Sequence, residues 1–197
     1  MKNMLLLLLC LIVLNPQATP QNHKQARPAE TVRAFVKWYG THWEKCSSLE
    51  TNTINMGVLA LKEKEENPPY SINFKGVEAY IGALSETGFF SEKYFETLRN
   101  WFKDADHNFK ENPQNDGPPE GFQYDRFFLT QEDFLKDIKN IDKIAINEKL
   151  LDHNTADVRM HFPYCNITYH YLLSNKNGKW YINAIQNIPF NCRLPKK

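Results

Sequence analysis

Excess charge of either sign is missing from this sequence. Twenty-four basic residues face 23 acidic ones, for a net charge of +1. Lys2 is the only charge in the first 20 residues, so without them the balance is zero. A neutral chain offers no electrostatic argument for a nucleic-acid partner or an anionic membrane surface. No C-x-x-C occurs, which excludes a zinc ribbon and a dithiol redox motif. No G-x-S-x-G occurs, so the nucleophile elbow of a serine hydrolase is absent. The six histidines are scattered with no H-E-x-x-H pair, and His161 and His170 read as ordinary sheet residues. No glycine-rich phosphate loop is present; the few glycines fall at turns and helix ends. After the first residues no apolar run is long enough to span a bilayer, which takes about 20 residues.

Hydrophobic residues make up 42% of the chain and aromatic residues 13%, enough for a packed core and too much for a disordered chain. The 197 residues suit one domain. The start has the three-part layout of a secretory signal peptide. Lys2 supplies the positive charge, Leu5 to Leu14 the apolar run, and Asn15-Pro16 the break, with a small residue at Ala18. Cleavage near residue 18 and a secreted or periplasmic location are expected. Cys10 is preceded by Leu9 rather than a small residue, so it reads as part of the signal and not as a lipidation site. Three cysteines remain in the mature chain. Cys46 falls on the apolar face of a helix and is expected to be a buried free thiol. Cys165 and Cys192, in or near neighbouring strands, are the expected disulfide pair.

Residues 19–27 read as a flexible lead-in, 28–192 as a single α+β domain and 193–197 as a tail. A first helix begins at Pro28, with Val32, Phe35, Val36, Tyr39, Trp43 and Cys46 at helical spacing. Residues 47–70 show no clear pattern; the charge cluster Lys62 to Glu66 reads as solvated surface. A second helix spans about 76–86, presents Tyr80, Ile81 and Leu84, and ends before Gly88. Ser91 occupies an N-cap position, and a third helix to about His107 carries an aromatic stripe from Tyr94 to Phe102. Pro113, Gly117, Pro118, Pro119 and Gly121 forbid regular structure, so 108–124 is a long loop. Residues 125–130 read as a short strand and 131–140 as a short helix. A strand follows at 143–151; 156–162 and 166–173 read as one long strand, or two, interrupted at Pro163; and 179–188 closes the sheet after a turn at Asn175-Lys176-Asn177-Gly178. Helices first and antiparallel strands last give an α+β fold, with N-terminal helices packed on a curved antiparallel sheet of about four strands.

A loop of this length inside a compact domain carries function or is disordered. Asp116, Glu120, Asp125 and Gln131 are therefore the candidate ligand-binding residues. Asp104, Asp106 and Asn108 match the first, third and fifth positions of an EF-hand loop, but Phe109 and Asn115 stand where its Gly and Glu belong. A looser calcium site from Asn115, Asp116, Glu120 and Asp125 is a weak candidate, against which these residues simply suit turns. Tyr124, Asp125, Tyr169 and Tyr171 supply the residue types of a carboxylate–tyrosine catalytic pocket, although spacing alone does not bring them together. The sequon Asn166-Ile167-Thr168 would accept glycan in a eukaryotic secreted protein.

The stretch Thr31 to Tyr39 (Thr-Val-Arg-Ala-Phe-Val-Lys-Trp-Tyr) resembles a bacterial family of small exported proteins of unknown function, the DUF3828 type. The likeness continues through Tyr70 to Phe74, Gly88 to Ser91, Asn112 to Phe122, Leu129 to Glu132 and Asn177 to Ile182. It covers nearly the whole mature chain, and Asn-Pro-Gln-Asn-Asp-Gly-Pro-Pro-Glu-Gly-Phe at 112–122 is its most specific part. The resemblance implies an exported bacterial protein and a fold similar to the cystatin-like or NTF2-like cone. It implies no activity and no cofactor, since fold likeness is a poor warrant for function. The expectation is an exported, non-catalytic domain that binds a small molecule or a protein. The alternatives are a small-pocket NTF2-like enzyme and an immunity or inhibitor protein.

Overall fold

The structure, a computed structural model, describes residues 27–56 and 68–189. Helix α1 spans Pro28–Thr51. Pro28 suits its first position, where the missing N–H has no helical partner. The Glu30 side chain reaches back to accept the Arg27 N–H at 3.1 Å. The expected stripe faces inward: Val32, Phe35, Val36, Tyr39 and Cys46 are buried, while Trp43 is only half-buried. The helix continues past Cys46 into the stretch that had no legible pattern. There Thr53 is buried and donates its hydroxyl to the Glu50 carbonyl. Two residues, Ile54–Asn55 (β1), then pair antiparallel with Ser71–Ile72 (β2).

Helix α2 spans Phe74–Ser85; the Asn73 side chain accepts the Gly76 N–H at its start. Tyr80, Ile81 and Leu84 are buried, as their spacing predicts. Gly88 beyond it has a φ of +67°, a backbone region open to glycine. Ser91 caps helix α3, Glu92–Glu111, by accepting the Tyr94 N–H. The helix runs one turn further than its aromatic stripe predicts, because Phe109 is buried too.

Two expectations fail between α3 and the sheet. Residues 125–130 form no strand: the Asp125 carboxylate accepts the N–H groups of Phe127 and Phe128, each at 2.9 Å, and curls the chain into a turn. That side-chain bond competes with strand pairing. The helix expected over 131–140 shrinks to Leu135–Ile138 (α4), followed by a 3-10 turn at Ile141–Lys143. Arg33 of α1 holds this segment, donating to the carbonyls of Ile141 and Ile144.

The last third is one antiparallel meander of four strands, β3 (Ile146–Leu150), β4 (Thr155–Phe162), β5 (Ile167–Lys176) and β6 (Lys179–Pro189), in that order. The break at Pro163 makes β4 and β5 two strands, and the buried Asp137 carboxylate holds their turn through the Tyr164 and Cys165 N–H groups. Asn177 and Gly178 both have positive φ, as a two-residue hairpin turn requires. The helices cover one face of the sheet. Ala156, Val158, Met160, Phe162, Tyr169, Tyr171, Leu173, Trp180 and Ile182 are all buried in a single core with the helical stripes. Beside β6, Phe90 bridges Ile182, with Ser91 N–H to Ile182 O at 3.1 Å and Ile182 N–H to Phe89 O at 2.8 Å. The α+β class and the four-stranded antiparallel sheet are as expected. Cys192, residues 1–26, the charge cluster at 62–66 and the tail lie outside the described residues, and so do the signal peptide and the 165–192 pairing.

Candidate functional site

The loop after α3 has two halves with different jobs. The first folds around Gln114. Its Nε2 donates to the carbonyls of Asp116 and Pro118, and its Oε1 accepts the Glu120 N–H. Tyr70 clasps this half from outside, bonding Gln114 O through its N–H and Gly117 O through its hydroxyl. Asp116 is exposed and accepts the N–H of Gly117. Glu120 is exposed and accepts from Asn108 Nδ2 at 3.1 Å. Two of the four candidate ligand-binding residues thus sit in a self-contained turn. Asn115 lies beside them, half-buried. Among the described residues no three His, Cys, Asp or Glu side chains gather as a metal site would require.

The second half is tied down by charge. The Tyr39 hydroxyl of α1 donates to Asp125 Oδ2 in a short bond, while Oδ1 takes the two backbone N–H groups. Arg126 donates Nε to Glu50 Oε1 at 2.8 Å and lies 3.6 Å over the Trp101 ring, with the Phe122 ring 5.3 Å away. Its guanidinium thus joins the end of α1, the middle of α3 and the loop. Phe127 and Phe128 plug into the core behind it. Gly121 has a φ of +83°, and a Cβ there would meet Trp101 at 3.2 Å, so the loop passes this ring only with glycine.

Between this half-loop and the last turns of α1 lies a cleft of about 330 Å3. Trp43, Ser47, Glu50 and Thr51 form one wall, Ile54 and Met56 one end, and residues 122–125, 130–132 and Phe134 the other side. Asp125 and Gln131 from the candidate set are here; Asp116 and Glu120 are not. Among the described residues three carboxylates, Glu50, Asp125 and Glu132, line the cleft, and no Lys, Arg or His does. Four aromatic side chains, Trp43, Phe122, Tyr124 and Phe134, share the lining. Tyr124 and Met56 are large apolar side chains about half exposed at its edge.

Burial raises the Asp125 carboxyl above the usual carboxylate range, against the lowering pull of its hydrogen bonds to Tyr39 and the backbone. Burial also raises Glu50, with Arg126 pulling the other way and Asp125 adding to the rise. Burial and Asp125 together push the Tyr39 hydroxyl far above its ordinary value, so Tyr39 acts as a donor. Of the tyrosines that supply the residue types of a carboxylate–tyrosine pocket, Tyr169 donates to Phe128 O at 2.9 Å and Tyr124 is at the surface. The Tyr171 hydroxyl is buried with no bonding partner among the described residues.

Cysteine chemistry finds no support in the thiols that are described. Cys46 and Cys165 are buried, and neither is bonded to another cysteine among the described residues. Burial pushes Cys46 up to about 11 and Cys165 to about 12, far from the thiolate a nucleophile needs. His161 bonds Thr168 at 3.1 Å, and His170 lies 3.5 Å from Asp157 on the outer face of the sheet.

Tyr39, Trp43, Glu50 and Arg126 escaped sequence reasoning as site residues. One signal for three of them was available: Tyr39, Trp43, Ser47 and Glu50 recur at spacings of three and four, so they share one stripe of α1. Arg126 carried no local signal of its ties to α3 and α1, since Trp101 and Glu50 are 25 and 76 residues away. No family model, curated protein or solved structure matches this chain.

Proposed function

We propose that this chain is an exported binding domain, and that the cleft between the end of α1 and the 122–134 half-loop takes an organic cation. The observation that carries the reading is the lining by the described residues: three carboxylates, four aromatic rings and no basic side chain around 330 Å3, with Arg126 behind the wall on Glu50. A protonated amine there would meet the exposed carboxylate of Glu132 and the side of the Glu50 carboxylate away from Arg126, which donates to Oε1. It would also place its charge near aromatic faces, worth roughly 0.5–2 kcal/mol for a desolvated cation. The same chemistry could come from a free amine or from a lysine or arginine side chain of a protein partner. The signal-like N-terminus and the family resemblance support export, and they favour helices cradling a bent sheet as in cystatin-like or NTF2-like cones.

Thermal shifts test this reading. Arylalkylammonium ions at millimolar concentration should raise the melting temperature, while neutral alcohols and carboxylates of the same shape should not, because a ligand of the native state stabilises it by mass action. Equal shifts for the neutral analogues, or none for any cation, would refute it. Export has its own test: the protein recovered from the medium or periplasm of its host should begin near Thr19.

One observation favours catalysis as the second reading, namely a buried carboxylate bonded to a tyrosine hydroxyl. It falls short on geometry. Asp125 spends both oxygens on Tyr39 and two backbone N–H groups, which leaves it holding the loop rather than waiting for a substrate proton.

A further inference from the structure

The geometry points to a second, independent site: a groove between the first turn of α3 and the β5–β6 hairpin that binds the oxyanion of a small molecule, a phosphate or sulfate group. The groove has a volume of about 820 Å3 and shares no lining residue with the acidic cleft. Among the described residues its lining carries three lysines, Lys93, Lys176 and Lys179, against a single carboxylate, Glu92. None of the three lysines makes an ion pair among the described residues. The chain as a whole is neutral, so this local excess is not the spill of a basic protein.

The lysines are also set close by the fold. Lys176 and Lys179 are direct cross-strand partners flanking the Asn177-Gly178 turn. Like charges in that relation repel and weaken a hairpin. The Lys179 ammonium lies 5.0 Å over the Tyr181 ring, and its Nζ stands 2.9 Å from where a Cβ on Gly88 would be. Ser174 and Asn183, bonded to each other at 3.0 Å, add neutral hydrogen-bonding groups to the same groove. An oxyanion between the ammonium groups would cancel the repulsion and gain charge-assisted hydrogen bonds. Phosphate and sulfate share this chemistry, and Tyr181 adds a face for the organic part of an ester.

Titration calorimetry on the full chain tests the site, with ionic strength held constant by chloride. Inorganic phosphate, sulfate and phenyl phosphate are the probes. Saturable binding is expected, with the ester tightest. The double variant Lys176→Gln/Lys179→Gln should weaken it at least about tenfold, the loss of roughly one charge-assisted hydrogen bond. The same variant should melt no lower than the wild type, since it removes a repulsion. That combination of weaker binding and undiminished stability is what a merely structural hairpin would not show. Lys93→Gln, on α3 and outside the hairpin, gives a second reading of the affinity loss. The proposal is overturned if no probe gives saturable heat, if the variants bind as tightly as the wild type, or if vesicles of phosphatidylglycerol are captured while free phosphate and phenyl phosphate are not.

Discussion

Asp125 shows how much one side chain can fix. It turns the chain through two backbone N–H groups and fastens it to α1 through Tyr39. Tyr39→Phe removes one hydrogen bond to a charged, half-buried acceptor and should cost about 1–3 kcal/mol in urea unfolding, with the fold intact. The raised carboxyls of Asp125 and Glu50 make a second prediction. A carboxyl raised by folding binds its proton more tightly in the native state than in the unfolded chain. Its contribution to stability is therefore greatest below the ordinary carboxylate range and is lost as pH rises through the raised value. Glu50→Gln should flatten the fall of melting temperature with rising pH over that window; an unchanged slope would show that Glu50 titrates as it does unfolded. The lowered carboxyls at Glu78, Asp142 and Asp152 act in the opposite sense, but they are exposed and solvent screens them. At this scale the sequence was partly legible. Asp125 and Gln131 could be named from their place beside a loop full of Pro and Gly, whereas Tyr39 looked like one more residue of a helical stripe and Glu50 lay in a stretch with no clear pattern.

At the scale of elements, periodicity and caps carried most of the fold. Ser91 as N-cap, the inward stripes of α1 to α3 and the Asn177-Gly178 turn all follow from local chemistry and are found in place. Failures came where a distant partner outweighs local preference. Residues 125–130 look like a strand, yet the carboxylate at their head takes the N–H groups that a neighbouring strand would need. The short pair β1–β2 was invisible because two residues make no pattern. It is held from outside, by Asn73 N–H to Thr53 O and by Asn73 Nδ2 to Asn52 O. Two glycines of α2 sharpen this point. A Cβ on Gly76 would fall 2.0 Å from the carbonyl oxygen of Asn52, whereas Gly82 has open space around it. Gly82→Ala should stabilise by about 0.5–1 kcal/mol through helix propensity. Gly76→Ala should destabilise by at least about 1–3 kcal/mol, because the backbone after α1 must move. Chemical denaturation of the pair reads both signs at once, and equal effects would contradict the packing of α2 on the end of α1.

The whole molecule is a neutral chain whose charges are sorted in space. One end of α1 meets a half-loop in a cleft with acids and aromatic rings, and the hairpin meets α3 in a groove with lysines. Neither accumulation is visible in the sequence, because Glu50 and Glu132 lie 82 residues apart, as Lys93 and Lys176 lie 83 apart, and only the fold brings them to common walls. Composition could speak for a folded α+β domain without the familiar catalytic and nucleotide-binding motifs; the sites belong to tertiary structure. The central claim concerns the acidic cleft, and protein-observed NMR with benzylamine and benzyl alcohol tests it most directly. At neutral pH the two ligands differ chiefly by a positive charge. The account predicts saturable shifts with benzylamine, clustered at residues 43–56 and 122–134, and at least about tenfold weaker binding of the alcohol, the equivalent of one lost charge interaction of roughly 1.4 kcal/mol. Equal affinity for the two, or shifts centred elsewhere on the molecule, would contradict it.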